Sequence, residues 1–260
     1  MEATVNYLAA MAERPYFFQY EPPPGTPWRN TKGDRRTMTI GDARRLDPPP
    51  SLDRAGFALV RHRTAVADLW AEQAPYYREI EALVRAATGA ARVVAFDHNL
   101  RSAAKTERRE PGVQPPVRYA HNDYTERSGP QRVRDLFPDE AAAVLHRRFA
   151  VINVWKPIRG PVQQAPLAVC DARTIDAGDL VPTDLRYRDR NGEVYSLRWS
   201  PRHAWFYFPR MEAEEAMLLK CYDSAHDRAR FTAHTAVDDP ESPADAPVRE
   251  SIEVRTLAFW

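Results

Sequence analysis

The sequence predicts a mainly β fold with flanking helices, a sandwich or double-sheet jelly roll. About eight apolar runs of five to nine residues follow one another from Val117 to the C-terminus, a spacing typical of two-layer β domains. The segments between them hold Pro, Asp and Gly, the residues of turns. Apolar residues at helical three-to-four spacing are largely confined to one earlier stretch, Ala65–Thr88.

Taken in chain order, Pro22-Pro23-Pro24-Gly25 and Pro48-Pro49-Pro50 bracket a polar segment with little periodicity, expected as an ordered but irregular arm. Gly56–His62 reads as a short strand. In Ala65–Thr88, Val66, Leu69, Trp70, Tyr77, Ile80, Leu83 and Val84 mark a helix with Gly89 as its stop, and Pro75 predicts a kink or two helices. Arg92–Phe96 is the next strand, followed by a charged loop, Arg101–Gly112. Further strands are expected at Val117–His121, Phe149–Trp155, Leu167–Asp171, Val194–Trp199, Ala204–Phe208, Met217–Tyr222, Phe231–Val237 and Ser251–Phe259. One helix, Pro138–Arg147, opens with Pro-Asp-Glu, which suits the positive end of a helix dipole. No repeat or interdomain linker is visible. The organisation is one domain over 1–260, with an irregular and helical extension plus first strands over 1–116 and a jelly-roll core over 117–260.

The chain has 260 residues, with 37 Lys+Arg against 36 Asp+Glu and a formal charge of +1. A balance that close leaves no electrostatic footprint for nucleic acid or an anionic membrane as partner. Apolar stretches such as Ala141–Leu145 and Phe149–Ile152 are far shorter than a membrane helix. Met1–Tyr20 lacks the apolar region of a secretory signal, so the expected setting is the cytoplasm. Cys170 and Cys221 make no disulfide framework and are expected as small buried residues. Phosphate-loop, G-x-G-x-x-G, G-x-S-x-G and C-x-x-C motifs are all missing, so chemistry must be sought among the histidines.

His121-Asn122-Asp123 closes a predicted strand, and period-two alternation puts His121 and Asp123 on one side of the chain. An imidazole nitrogen and a carboxylate oxygen so placed can share a metal ion; H-x-D alone is a weak signal, equally met by a strand-end His bonded to its neighbour. A third ligand must come from a distant strand, and His234, in Phe231-Thr232-Ala233-His234-Thr235-Ala236, is the candidate. Two His and one carboxylate on one face leave metal positions open, the pattern of non-haem Fe(II) oxygenases. Arg249 and Ser251 share one face at the start of the last strand, offering a guanidinium fork and a hydroxyl to a dicarboxylate co-substrate.

The chain resembles a known family in Phe149-Ala-Val-Ile-Asn153-Val-Trp155-Lys-Pro157 with Gly160-Pro161, and in Pro166-Leu-Ala-Val-Cys-Asp171 and Leu180-Val-Pro-Thr-Asp-Leu185. Lys220-Cys-Tyr-Asp-Ser224, Ala233-His-Thr-Ala236 and Arg249-Glu-Ser-Ile-Glu-Val-Arg255 extend the match, which covers roughly Val117 to Trp260. The family is the CmcJ/NvfI-type, or AsaB-like hydroxylase/desaturase, group of oxygenases. The resemblance implies a double-stranded β-helix (jelly-roll, cupin-like), with Fe(II), 2-oxoglutarate and dioxygen. It places the metal ligands on His121, Asp123 and His234 and the co-substrate anchor on Arg249 and Ser251, with Arg255 as a rival anchor. The implied activity is oxidation of a small molecule of secondary metabolism, by hydroxylation, desaturation or another radical outcome, with 2-oxoglutarate converted to succinate and CO2.

Other polar and aromatic residues complete the expected site. Asn153, polar among Val151, Ile152 and Val154, is a candidate donor to the co-substrate, and Tyr222, sharing a face with Lys220, is a candidate pocket residue. Tyr124, Trp155 and Trp205 are candidate walls of a mostly apolar substrate cleft. The run Arg101–Arg109 is either a solvated loop or a lid over a negatively charged group. His226 is the alternative third ligand; His203 reads as a strand-start residue, and His62, His98 and His146 as solvated. Two rival functions use the same residues: a cupin-like metalloenzyme without 2-oxoglutarate, and a binding module with a degenerate metal site. Homodimerisation is left open.

Overall fold

The computed structural model describes residues 1–260. The first half of the chain forms β1 (Glu2–Leu8), β2 (Tyr16–Phe18), β3 (Gly33–Asp42), β4 (Phe57–Arg61), α1 (Gln73–Thr88), β5 (Arg92–Ser102), α2 (Ala103–Glu107) and β6 (Val113–Gln114). Next come β7 (His121–Asn122), α3 (Ser128–Leu136), α4 (Ala141–Val144), β8 (Phe149–Pro157), β9 (Leu167–Cys170), β10 (Leu180–Arg186) and β11 (Asn191–Leu197). β12 (Trp205–Tyr207), β13 (Glu215–Asp223), β14 (His234–Ala236) and β15 (Glu250–Phe259) complete the chain.

Two curled sheets result, as the predicted jelly roll requires. One runs β1-β3-β12-β9-β14-β7-β11-β10-β2, the other β4-β13-β8-β15-β5-β6. β8 lies inside the second sheet and is buried along its whole length. Its period-two alternation sends Phe149, Val151 and Trp155 into the space between the sheets, where they pack with Val169 and Leu219. Ala150, Ile152 and Val154 point the other way, against Tyr76, Ile80 and Val84 of α1. β15 lies beside β8 with Arg255 opposite Asn153 and Glu253 opposite Trp155. Polar residues on β15 therefore enter the space between the sheets because that is where the site is built.

The polar segment after Pro24 is not the irregular arm expected: Gly33–Asp42 is a ten-residue strand paired along Glu2–Leu8. Most of its residues are at least partly exposed, so it lacks the apolar signature that identifies a strand. The β1–β3 ribbon forms one edge of the larger sheet, and Val5, Tyr7 and Ile40 pack with Cys170, Leu197 and Trp205 on its far face. α1 begins only at Gln73, so Pro75 sits in its first turn and no kink arises; Gly89 ends it at φ 69°. The helix expected over Pro138–Arg147 shrinks to Ala141–Val144, and α3, over a segment given no expected structure, precedes it. The charged run after Arg101 is a strand end and the short helix α2. Lys220 and Tyr222 do not share a face, because a bulge between them shifts the register against β8.

Candidate active site

His121 on β7 and His234 on β14 are directly opposed in adjacent antiparallel strands, and their ring centroids lie 4.5 Å apart. Asp123 follows β7 by one residue. One ligand atom from each of His121, Asp123 and His234 falls within 4.8 Å of the others, the grouping a metal ion needs. The orientation fits as well as the spacing. Each imidazole turns its Nδ1 to a backbone carbonyl, His121 to Tyr119 at 2.8 Å and His234 to Thr232 at 3.1 Å. With the proton on Nδ1, both Nε2 lone pairs are free, and His121 Nε2 lies 3.4 Å from Asp123 Oδ1. Burial, reinforced by the neighbouring His121, holds the His234 imidazole below its ordinary value, favouring the neutral form that ligates.

The other carboxylate oxygen of Asp123 is committed. Asn153 Nδ2 donates to Oδ2 at 2.8 Å and Arg255 Nε at 3.1 Å. Burial alone would raise this carboxyl; the Arg255 charge and the His121 contact outweigh it and hold Asp123 well below the usual carboxylate range. Asn153 also donates to Glu253 at 3.0 Å, and Arg255 donates to Asp97 at 2.7 Å. Asn122, between His121 and Asp123, ties the strands together. Its amide donates to the carbonyls of Tyr124 (2.7 Å) and Cys221 (2.8 Å) and accepts from the Thr232 amide at 3.0 Å.

Two cavities meet at this cluster. The narrow one is lined by both histidines, Trp155, Arg101, Arg249 and Glu253 and holds about 20 Å³ of open space. Arg249 is buried there with its Nε unpartnered, its guanidinium 5.5 Å from the Trp155 ring centre. Burial, with the cations Arg101 and Arg118 nearby, pushes Arg249 down to about 9. A guanidinium still keeps its proton at neutral pH, so this is a buried cation short of negative charge. Ser251, on the same strand face, has a buried hydroxyl without a partner. The second cavity is a cleft of about 590 Å³ on the other side of Asp123. Of its sixteen lining residues only Tyr124, Leu136, Leu185 and Tyr187 are hydrophobic, so it is not the mostly apolar cleft expected.

The remaining expected residues divide. Tyr124 lines the wide cleft and Trp155 the narrow cavity. Arg255 is engaged by Asp123 and Asp97. Tyr222 lines neither of these two cavities and stacks on Phe149. Trp205 lies on the far face of the larger sheet, its indole donating to Tyr7 at 2.7 Å. His203 stacks on Tyr7 and meets Asp179, and His226 contacts Arg230; neither joins the cluster. His62 and His98 are not solvated as expected: the first faces Glu79 at 3.4 Å and the second bonds the Tyr77 hydroxyl at 2.7 Å. Glu253 and Asn122 were not anticipated. The period-two step from Ser251 to Arg255 passes through Glu253 and would have found it; Asn122 carries no such signal.

The family model described as "YDMC: Oxidoreductase/YMDC permease-like domain" matches residues 5–259. No helix is long and apolar enough to cross a membrane. The chain is 33% identical over 254 residues to the Fe(II)/2-oxoglutarate-dependent dioxygenase nvfI of Aspergillus novofumigatus, covering 94% of this chain and 90% of the relative. The chain belongs to the Fe(II)/2-oxoglutarate-dependent dioxygenase family. The hydroxylase/desaturase efuI of Hormonema carpetanum is 30% identical, over 88% of this chain and 85% of its own length. A solved structure of the iron and alpha-ketoglutarate-dependent endoperoxidase NvfI superposes with a TM-score of 0.89 at 30% identity, spanning 100% of this chain and 97% of that one. Dioxygenases of this family use Fe(II), 2-oxoglutarate and dioxygen, and the donor set at His121, Asp123 and His234 is chemically suited to Fe(II).

Proposed function

We propose that this dioxygenase oxidises a small organic molecule, in natural-product metabolism as its relatives' names suggest, with His121, Asp123 and His234 as the iron ligands. The observation that carries the reading is the convergence of two Nε2 atoms and Asp123 Oδ1 beside a cavity lined by Arg249, whose Nε lacks a partner, as does the buried Ser251 Oγ two residues on. In that cavity Arg249 and Ser251 would receive the far carboxylate of 2-oxoglutarate, and Arg101 would add a second cation. Bound Fe(II) would supply dioxygen activation coupled to decarboxylation of the co-substrate. The residues orient and exclude: Asn153 and Arg255 fix Asp123 so that it offers one oxygen, and Trp155 walls the cavity from water. The open space exceeds a water molecule but not a dicarboxylate, so entry requires the lining side chains to shift. The free thiols Cys170 and Cys221 suit a reducing cytoplasm.

Anaerobic titration with Fe(II) and 2-oxoglutarate, then succinate release on admitting dioxygen, tests the reading. The expected result is one iron per chain and 2-oxoglutarate-dependent succinate. His234→Ala should lose iron while keeping its circular dichroism spectrum. Stoichiometric iron retained by that variant would move the third ligand elsewhere, and dioxygen uptake indifferent to 2-oxoglutarate would favour the cupin-like alternative.

A further inference from the structure

The wide cleft contains an unbalanced cation. Buried or half-buried charges elsewhere in the cleft are matched: Glu193 pairs with the exposed Arg127 at 3.0 Å, and Arg255 with Asp97 and Asp123. Arg132, on the face of α3 that also presents Ser128 and Gln131 to the cleft, makes no ion pair and has a buried Nε without a partner. Its guanidinium is instead 5.7 Å from the Phe96 ring centre. Asp135, one turn on, accepts from Gln131 at 2.8 Å and stays in solvent. Arg190 also lacks a carboxylate, but it is exposed and stacks on Tyr187 at 4.2 Å. A half-buried guanidinium without a counter-charge is costly unless an anion arrives with the ligand.

What stands next to Arg132 fixes where that anion would lie. Tyr124 directly follows Asp123 and lines the same cleft. A phenol keeps its proton at neutral pH, so the Tyr124 hydroxyl is a donor lining the same cleft as the Arg132 guanidinium. We propose that Arg132 and the Tyr124 hydroxyl form an oxyanion subsite that receives a carboxylate of the substrate within one residue of the metal-facing Asp123. The subsite assumes the dioxygenase reading above and names its substrate class: an organic acid held by its carboxylate, with the carbon to be oxidised directed past Asp123. The charged run Arg101–Arg109 takes no part, since Arg101 faces the other cavity and Lys105 and Arg108 pair with Glu110.

Calorimetric titration of the Fe(II)- and 2-oxoglutarate-loaded protein, without dioxygen, decides the matter. The probes are phenylacetate, cinnamate and 2-naphthoate against their primary amides. The acids are expected to bind at least about tenfold tighter, as a charge-assisted bidentate contact provides. Arg132→Gln should abolish that difference, and Arg132→Lys should restore part of it. Arg134→Gln, on the exposed side of the same helix, should retain it. Equal binding of acids and amides by the unaltered protein, or a preference that survives Arg132→Gln, would overturn the subsite. Failure of the dioxygenase reading looks different: no 2-oxoglutarate-dependent succinate, whichever probe binds.

Discussion

Arg255 places Nε 3.1 Å from Asp123 Oδ2 while its Nη1 holds Asp97 at 2.7 Å, so one guanidinium forms a wall shared by the metal cluster and the wide cleft. On the proposal above, a side chain committed in this way holds Asp123 rather than 2-oxoglutarate. Removing one partner of a buried ion pair costs about 3–5 kcal/mol. Arg255→Ala is therefore expected to lower Tm by roughly 5–15 °C and to weaken Fe(II) binding about 10- to 100-fold. At saturating iron its 2-oxoglutarate affinity should stay within a few-fold of normal. Scanning calorimetry and anaerobic titration would check both.

Arg249 should behave in the opposite way. Its Nε is unpaired and its charge is under-compensated, so Arg249→Ala should leave iron binding intact. Loss of a desolvated guanidinium–carboxylate contact typically costs about 2–5 kcal/mol, or roughly 30- to several-thousand-fold in 2-oxoglutarate Kd. Ser251→Ala, which removes a single neutral donor, should cost about tenfold or less. A collapse of 2-oxoglutarate binding in Arg255→Ala but not in Arg249→Ala would reverse the assignment.

Asn122 joins the segments that carry His121, Asp123 and His234. Its amide spans the carbonyls of Tyr124 and Cys221 and the Thr232 amide in a fully buried position. Asn122→Ala leaves those backbone groups without partners, at about 1–3 kcal/mol each where water cannot replace the bond. Lowered Tm together with weakened iron binding is expected. A drop in Tm with iron affinity unchanged would mean the strands hold their spacing without it.

Lys156 offers a pH test away from the site. Buried on β8, it donates to the carbonyls of His62 (2.7 Å) and Ala213, and burial pushes it down to about 8. The unfolded chain keeps that proton up to about pH 10.4, so between pH 8 and 10.4 the unfolded state binds more protons. Stability therefore rises with pH across that window, by up to roughly 3 kcal/mol from this group. Denaturant melts of the unaltered protein and Lys156→Met at pH 7 and pH 10 should converge or cross in favour of lysine as pH rises. A constant gap between them would refute the shift.

How legible the site was depends on period. At the start of β15, Arg249 and Ser251 could be placed on one face from the sequence; Arg249 lines the narrow cavity, and both keep a buried polar atom without a partner. H-x-D was readable as a same-side pair, although only His121 of the expected strand Val117–His121 falls in regular strand, His121–Asn122. Asn153 was recognised as out of place among apolar neighbours, but its role lies with Asp123, which depends on how the two sheets face each other. Arg132 was invisible because α3 is a short polar helix flanked by charged residues, with only Gly129 and Val133 buried. The β1–β3 ribbon was hidden for the related reason that its second strand is largely solvated.

The opposed positions of His121 and His234 also determine where the chain tolerates a change of length. Residues facing each other across paired strands share a side, and a shift of one residue sends a side chain to the opposite side. One residue inserted within Thr232–His234 would turn that imidazole towards Ala168 and Cys170 on the far side of the sheet. The largely exposed stretch 238–248 before β15 bears no such constraint, and neither does the 187–190 turn between β10 and β11. The 187–190 turn, whose Tyr187 and Arg190 line the wide cleft, can therefore lengthen or shorten, and so reshape that cleft's rim, without moving either histidine.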